Sequence, residues 1–445
     1  MDAALGVRRT YAIFANLIAT CVALGLMSTA MSTALAPMTA DLGVDVSCGQ
    51  WVTSGYALAL AMVMPLTAFL VTRFPSKPLY LTAVGAYAVA SACCALAPSF
   101  ALLMVARVVQ ACMNGVIANL TQVSILSLFE PGARGRTMGW FGLSQGAAVV
   151  MGPTVGGLLV DVLGWRAVFA GVAVLCLASF AAACATLRNL LPTSDKPFDP
   201  LSFVLSVVGF GGLTLGLGNA VSCGASPLVL GSLAAGLAAA VLFVRRQLSL
   251  VDPFLKVQLL RVPAYGLAVA CSAVLYACAI GSSAVLPLQV QLGLGQPAAA
   301  AGLVVLPGAV ALALVNPLSG RAFDRFGMGP LCVAGAAMLV LANAACCLPA
   351  VYGSAGLLCV ANVVRCVGVG MLQMPLVTWA NSVIRPEDMP HGSALLTALR
   401  NVAGALGVAV LVAAFQLAGP VAAFGTMAGI SVCLLLPVLT SAKGR

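Results

Sequence analysis

Long uncharged stretches constrain the fold of this chain more than any other feature. They are residues 10–40, 46–72, 78–106, 137–160, 167–187, 200–244, 262–320, 326–364, 366–384 and 401–442. Because a helix needs about 20 apolar residues to cross the hydrocarbon core of a bilayer, each stretch has room for one or two spans. A transmembrane barrel would show shorter segments of alternating polarity. The sequence therefore predicts an all-α, polytopic membrane protein.

Composition excludes several other classes of protein. Charged residues make up 7% of the chain, against about 25% in soluble domains, which is too few to cover a soluble surface. The net charge of +10 does not indicate nucleic-acid binding, because the basic residues are scattered singly beside the apolar stretches. The 16 cysteines form no Cys-x-x-Cys pair and there is one histidine, so we expect no metal site, no disulfide framework and no cofactor.

Turn-forming residues divide the longer stretches, and the sequence then predicts fourteen membrane-spanning helices. The dividing segments include "SCGASP" at 222–227 and "GLGQPA" at 293–298. We place the helices near 11–37, 50–72, 78–97, 101–127, 138–160, 166–188, 202–220, 227–245, 263–290, 301–320, 330–349, 354–378, 397–416 and 421–440.

The basic residues predict how the chain is oriented, because cytoplasmic loops carry an excess of Lys and Arg. With the N-terminus inside, 18 of the 21 basic residues fall in cytoplasmic segments, so we expect both termini to be cytoplasmic. Only Arg166 lies in an outside loop, and Arg107 and Arg365 fall within helices. The cytoplasmic residues are Arg8, Arg9, Arg73, Lys77, Arg134, Arg136, Arg188, Lys196, Arg245, Arg246, Lys256, Arg261, Arg321, Arg325, Arg385, Arg400, Lys443 and Arg445.

The chain also repeats itself. "AFLVTRFPSKP" at 68–78 is matched by "GRAFDRFGMGP" at 320–330, and each is followed about one helical hairpin later by an arginine within a helix, Arg107 or Arg365. The repeat predicts two pseudo-symmetric six-helix bundles, residues 1–190 and 257–445. A two-helix insert with its linkers occupies residues 191–256. Repeated halves around a shared site are typical of secondary transporters.

Three motifs stand out along the chain: Gly320, Asp324, Arg325 and Gly327 at a helix end, Arg107 and Gln110 within a helix, and "GAAVVMGPTVGG" in the helix after that. They resemble motifs of the major facilitator superfamily, and specifically of its fourteen-helix drug/proton antiporter group. The loop motif of that family is Gly-x-x-x-Asp-Arg-x-Gly-Arg-Arg, and Gly320, Asp324, Arg325 and Gly327 match its first four fixed positions. The fourth-helix motif matches Arg107 and Gln110, with Ala111 in place of a glycine. The fifth-helix antiporter motif matches "GAAVVMGPTVGG", which contains Gly152, Pro153, Gly156 and Gly157.

The resemblance implies proton-coupled export of small amphipathic organic compounds by rocker-switch alternating access. It also implies a multi-pass protein of the bacterial cytoplasmic (inner) membrane, working as a monomer. Its partners would be a small-molecule substrate, protons and the lipid bilayer, without nucleic acid. In physical terms, the fifth-helix glycines allow close helix packing and Pro153 bends that helix. Asp324 with Arg325 can latch neighbouring helices at the cytoplasmic face, or form an ordinary solvated turn.

The chain departs from the family pattern by losing acidic residues. The first copy of the loop motif keeps the basic residues Arg73 and Lys77, but Thr72 stands where the family has Asp. Ser28, or a neighbour of it, stands at the position where the group carries an Asp in its first helix. None of the eleven acidic residues falls in mid-membrane. The best carboxylate candidate for proton coupling is Asp161, whose alternative role is an ion pair with Arg166.

The two arginines within helices are therefore the main candidates for contact with substrate. Intramembrane charges are costly, and without a nearby acid they need carbonyls, Gln110, Gln145, Gln373 or an anionic substrate as partners. This favours anionic or neutral substrates over lipophilic cations. The alternative is that each arginine bonds to carbonyls and braces neighbouring helices.

Two other functions remain open on sequence alone. The chain could be an uptake symporter or facilitator for an organic anion, or a receptor or scaffold derived from a transporter that moves nothing. It is not expected to be an enzyme, since no nucleophile–base pair or metal constellation is present.

Overall fold

The structure is a computed structural model that describes residues 6–194, 198–223, 226–250 and 252–435. Within these ranges the chain forms fifteen α-helices and no β-strand. The helices are α1 (Val7–Leu42), α2 (Val46–Gly49), α3 (Trp51–Arg73), α4 (Ser76–Ala95), α5 (Phe100–Leu128), α6 (Arg134–Leu163), α7 (Trp165–Thr186), α8 (Pro200–Cys223), α9 (Pro227–Ser249), α10 (Pro263–Leu288), α11 (Ala298–Phe326), α12 (Met328–Ala345), α13 (Pro349–Tyr352), α14 (Ala355–Ser382) and α15 (Met389–Val432).

Twelve helices in the described ranges are long and apolar enough to cross a membrane, which confirms an all-helical polytopic fold. Helix α6 adds a thirteenth span when its two arms, Pro131–Gly152 and Val155–Leu163, are counted together. These arms meet at 40°, at the position where Pro153 predicts a bend. The count of fourteen remains a prediction, and the end of the last predicted helix lies outside the described residues.

The start of α15 differs most from what the sequence predicted. We expected a helix from residue 397, but α15 begins at Met389, directly after a short 3-10 helix at Pro386–Asp388. Pro390 lies in the first turn of α15, where its missing N–H costs nothing. As a consequence, Arg400 is the twelfth residue of the helix and not part of a cytoplasmic turn.

The described chain separates into two compact units. The first contains the chain up to Leu128 together with Ser144–Phe203. Within it, α4 packs on α5 and α7, α1 packs on α7, and α3 packs on α5. Helix α5, which carries Arg107, thus packs against both α3 and α4.

The second unit contains Phe129–Leu143 and the chain from Val204 onward, so α6 contributes to both units. Within this unit, α12 packs on α14 and α15, α10 packs on α15, and α11 packs on α14. The pairing repeats that of the first unit when α10, α11, α12 and α14 are matched to α1, α3, α4 and α5. The proposed boundaries at residues 190 and 257 remain a prediction.

Candidate functional site

Helix α5 carries Arg107, the first of the two arginines that the sequence places within the membrane. Its side chain is 1% exposed. Nε and Nη2 both donate to the carbonyl oxygen of Val52, each at 3.2 Å, and Nη1 donates to Oε1 of Gln110 at 2.9 Å. The guanidinium also lies over the ring of Tyr56, 4.2 Å from its centroid. Every nitrogen of the Arg107 guanidinium therefore has a partner.

Gln110 extends this network to a third helix. Its Nε2 donates to Oγ of Ser91 in α4 at 2.7 Å, and Ser91 in turn donates to the carbonyl of Tyr87 at 2.9 Å. The network thus joins α3, α4 and α5 inside the first unit. These contacts correspond to the bracing role that the sequence left open for Arg107.

Helix α14 carries Arg365, whose environment differs from that of Arg107. It is 8% exposed, and its Nη2 donates to Oδ1 of Asn362. Nε and Nη1 are buried and have no hydrogen-bond partner among the described residues. The thiols of Cys278, Cys346 and Cys366 are its neighbours. A buried cation with two free donors is costly unless another group completes its hydrogen bonds.

Asn362 holds this arginine against α11. Its Nδ2 donates to the carbonyls of Val304 and Val305 at 3.3 and 3.4 Å. Gly308 makes this approach feasible, since a Cβ at that position would lie 2.5 Å from Nδ2 of Asn362. The position of the amide therefore depends on a glycine in the neighbouring helix.

Asp324 forms a contact at the start of α6. Its Oδ1 accepts a hydrogen bond from the backbone N–H of Gly135 at 2.8 Å, and its Oδ2 accepts one from Arg136 at 2.7 Å. The N–H groups of a first helical turn have no partner within the helix, and the positive end of the helix dipole favours an anion there. The Asp324 carboxylate is thus a helix cap supplied by a distant helix.

Two glycines allow α11 to approach α6 this closely. A Cβ on Gly135 would strike both the Asp324 carboxylate and the carbonyl of Gly320, and a Cβ on Gly320 would strike the carbonyl of Gly135. Gly327 ends the same motif with φ 74°, which favours glycine. Arg325 is exposed, with its guanidinium 5.1 Å from the ring centroid of Phe326.

The first copy of the loop motif makes different contacts. Thr72 bonds within its own helix, donating to the carbonyls of Ala68 and Phe69, both at 3.0 Å. Nζ of Lys77 donates to the carbonyl of Cys184 at 2.8 Å, in the last turn of α7, where a cation is favoured by the helix dipole. Arg73 is half-buried at the end of α3.

The glycine-rich part of α6 packs against α1. A Cβ at Gly152 would strike Thr29, and a Cβ at Gly156 would strike Ala30. Thr29 donates to the carbonyl of Ala148 at 3.0 Å, which fixes the same contact. Gly157 faces open space. The side chain of Pro153 lies outside the described part of the chain.

The predicted ion pair between Asp161 and Arg166 is wrong. Arg166 pairs with Asp41 at the end of α1, and Trp165 donates to the same carboxylate at 3.2 Å. These hydrogen bonds, that from Arg166 foremost, hold the pKa of Asp41 below its usual value. The error arose because Asp161 is near Arg166 in sequence, whereas helix packing brings Asp41 to it. Asp161 itself is exposed near the end of α6.

The remaining candidates occupy three different helices. Ser28 is exposed on α1, whereas Gln145 on α6 and Gln373 on α14 are half-buried. No hydrogen bond within the described ranges joins any of them to Arg107 or Arg365. The same ranges contain no group of three or more His, Cys, Asp or Glu side chains arranged to hold a metal ion.

A family model for the Major Facilitator Superfamily matches residues 17–408, most of the chain. The chain belongs to the Major Facilitator Superfamily. It is therefore a multi-pass membrane transporter with bacterial relatives, of a family that is typically not enzymatic.

Two relatives and one solved structure illustrate the similarity. YcnB of Bacillus subtilis, named as an uncharacterized MFS-type transporter, is 33% identical over 388 residues, covering 87% of this chain and 82% of YcnB. The lincomycin resistance protein LmrB of the same species is 31% identical over 393 residues, with the same coverages. The proton:xylose symporter XylE superposes with a TM-score of 0.68 at 13% identity, covering 97% of this chain and 96% of XylE, which shows the fold.

Several buried ionisable residues of this superfamily member were missed on sequence alone. Arg400, assigned to a cytoplasmic turn, is 9% exposed inside α15, where its guanidinium lies over the ring of Tyr276 at 4.4 Å. Asp388 is buried and pairs with Lys256, and His391 is also buried. The signal was present as "EDMP" at 387–390, where acidic residues before a proline indicate a helix start.

Proposed function

We propose that this protein is a proton-coupled exporter of small amphipathic organic compounds that favours anionic or neutral substrates. It would work as a monomer in the bacterial cytoplasmic membrane by rocker-switch alternating access. The resistance function in the name of its relative LmrB supports export of a small organic compound. We also propose that it is a member of the fourteen-helix drug/proton antiporter group with both termini in the cytoplasm.

The length of α15 supports a count of fourteen. At 1.5 Å per residue its 44 residues would extend about 66 Å, roughly twice the hydrocarbon thickness of a bilayer. Gly419, with φ 77° and ψ −172°, interrupts the helix and divides it into two lengths. Counting these as two spans, and α6 as one, gives fourteen, the number that two six-helix bundles and a two-helix insert require.

The environment of Arg365 is the main support for the proposed preference for anionic or neutral substrates. Its two unpartnered nitrogens form an incomplete donor set inside the second unit. Guanidinium groups prefer carboxylates and similar anions, which they bind through two parallel hydrogen bonds. No carboxylate in the described ranges forms an ion pair with it, so an anionic group of the substrate would complete its hydrogen bonds. A lipophilic cation would instead be repelled.

The contact between Asp324 and the first turn of α6 supports the proposed alternating-access mechanism. It joins the start of α6 to the end of α11 through two charge-assisted hydrogen bonds. Such a contact stabilises one arrangement of the helices and is lost when they separate, so it can bias the balance between access states. Asp161 remains our proposed proton-carrying carboxylate.

Transport by purified protein in liposomes tests the proposal. Naphthalene-2-sulfonate is a suitable probe because it stays anionic and cannot follow a pH gradient through the lipid. The 2-naphthyltrimethylammonium ion is the matched cation. With the membrane potential clamped, we expect the sulfonate to enter vesicles that are acidic inside, in exchange for protons.

Each other outcome would contradict a stated part of the proposal. Sulfonate uptake driven by acid outside would identify a symporter. Equal movement of the cation would remove the preference for anions. Specific binding of the sulfonate without movement under either gradient would identify a protein that recognises its ligand but does not transport it.

A further inference from the structure

Arg400 is a buried cation that the contacts described above leave largely unused. It is 9% exposed and makes no hydrogen bond or ion pair to any residue within the described ranges. Its Nε atom is fully buried and has no hydrogen-bond partner. Its two terminal nitrogens, Nη1 and Nη2, are not fully buried. The terminal nitrogens therefore retain accessible surface. In Arg365, by contrast, the two unpartnered nitrogens are enclosed in this arrangement of the helices, so an anion would reach them only after the helices move.

The position of Arg400 is deep within its unit. It is the twelfth residue of α15, about 16 Å from the helix start at 1.5 Å per residue. The ring beneath it belongs to Tyr276, which lies at the middle of α10. An ionisable side chain at this depth is expensive, and its presence points to a functional role.

Close packing of α10 and α15 maintains this pair. A Cβ on Gly407 would strike the carbonyl of Ala277, and a Cβ on Gly404 would lie 3.2 Å from Cδ1 of Tyr276. Because Gly404 has no side chain, the ring of Tyr276 can lie beside α15 with Arg400 one turn away. Tyr276 remains half-buried, so part of its surface is open to a ligand.

The internal repeat also supports a substrate contact at Arg400. Gln145, a candidate for substrate contact, is the twelfth residue of α6, as Arg400 is of α15. The two side chains thus hold equivalent places in the helices that pack against α1 and α10. At this place α6 carries the neutral amide of Gln145, and α15 carries the positively charged guanidinium of Arg400. Only the guanidinium can attract an anion strongly.

We propose that Arg400 and Tyr276 form a binding site for the monoanionic head group of an amphipathic ligand. A carboxylate or sulfonate would accept hydrogen bonds from the terminal nitrogens of Arg400, and a flat apolar body would pack on the exposed part of the Tyr276 ring. The inference rests on the proposed function, because it names the part of the substrate that one side chain recognises.

Equilibrium binding to the detergent-purified protein tests the site without any gradient. The probes are naphthalene-2-sulfonate and its uncharged analogue naphthalene-2-sulfonamide, measured by isothermal titration calorimetry. We expect the native protein to bind the sulfonate about tenfold more tightly, as one charge-assisted hydrogen bond would give. Arg400→Gln should reduce that preference about threefold or more while leaving sulfonamide binding intact, which also shows that the variant is folded.

Further variants separate charge from shape. Arg400→Lys retains the charge without the planar fork and should keep an intermediate preference. Tyr276→Leu should weaken both probes by about fivefold, since the aromatic contact is lost. Arg385→Gln makes the same chemical change at an exposed position just before α15 and should change nothing.

An undiminished sulfonate preference in Arg400→Gln would overturn the assignment, as would the absence of any preference in the native protein. Failure of the proposed transport function is distinguishable from this result. If the sulfonate binds through Arg400 but no gradient moves it across liposomes, the site stands and the transport proposal falls. If it is transported with a preference that Arg400→Gln retains, the transport proposal stands and this site falls.

Discussion

Arg107 and Arg365 occupy matching helices of the two repeats, yet their surroundings differ. Arg107 bonds to Gln110, three residues later, and to the carbonyl of Val52, so all its nitrogens have partners. Arg365 bonds to Asn362, three residues earlier, and keeps two nitrogens without one. The same residue type thus braces one unit and leaves an incomplete donor set in the other. The two copies of the repeat share the position of the charge but not its hydrogen bonds.

Removal of Arg107 is the strongest test of this contrast. Arg107→Gln should lower the free energy of unfolding by about 2–3 kcal/mol, because it breaks several buried hydrogen bonds to a charged group. Arg365→Gln should change stability by less than about 1 kcal/mol or increase it, since a poorly paired buried charge is removed. Unfolding in detergent by denaturant titration measures both. Equal losses in the two variants would contradict the contrast.

Substrate recognition should show the opposite order. Arg365→Gln should reduce sulfonate transport about tenfold, or about 1.4 kcal/mol, while the protein remains folded. Arg365→Lys restores the charge and should recover part of the rate. Initial rates in liposomes, corrected for the amount of reconstituted protein, provide the measurement. A variant that transports the sulfonate normally would show that Arg365 is structural.

The two copies of the loop motif offer a smaller test. Asp324→Asn should cost about 1 kcal/mol, because a neutral amide caps α6 less well than a carboxylate. Thr72→Val in the other copy should cost about 0.5 kcal/mol or less, since the Thr72 hydroxyl bonds only within its own turn. Accessibility of cysteines introduced near Gly135, measured by maleimide labelling, should rise in Asp324→Asn alone. Equal labelling in both variants would remove the distinction between the two loops.

The ion pair between Asp41 and Arg166 should have the smallest effect, because both side chains are about half exposed. The lowered pKa of Asp41 means that its contribution is present above the usual aspartate pKa, near 4, and is lost as pH falls through the lower folded value. Asp41→Asn should therefore melt slightly below the native protein at pH 7. The difference should vanish in acid, and a difference that grows in acid would contradict the assignment.

Sequence alone determined the helical membrane architecture and the family. Uncharged stretches of sufficient length leave a chain in lipid no option except to satisfy its backbone within helices. The repeat at 68–78 and 320–330 and the motif around Asp324 also follow directly from residue order. These features are local or periodic, so no contact between distant residues has to be known.

Only the tertiary structure decided which charged groups meet. Residue order could not show that Arg166 pairs with Asp41 and not with Asp161, because helix packing, not sequence distance, sets that contact. Nor could it distinguish Arg107 from Arg365, since both are single arginines in apolar helices. Arg400 was misplaced because a charge near a helix end can lie outside or inside the helix, depending on where the first turn begins. Hydrogen-bond partners are contributed by neighbouring helices, and that arrangement is a property of the folded chain.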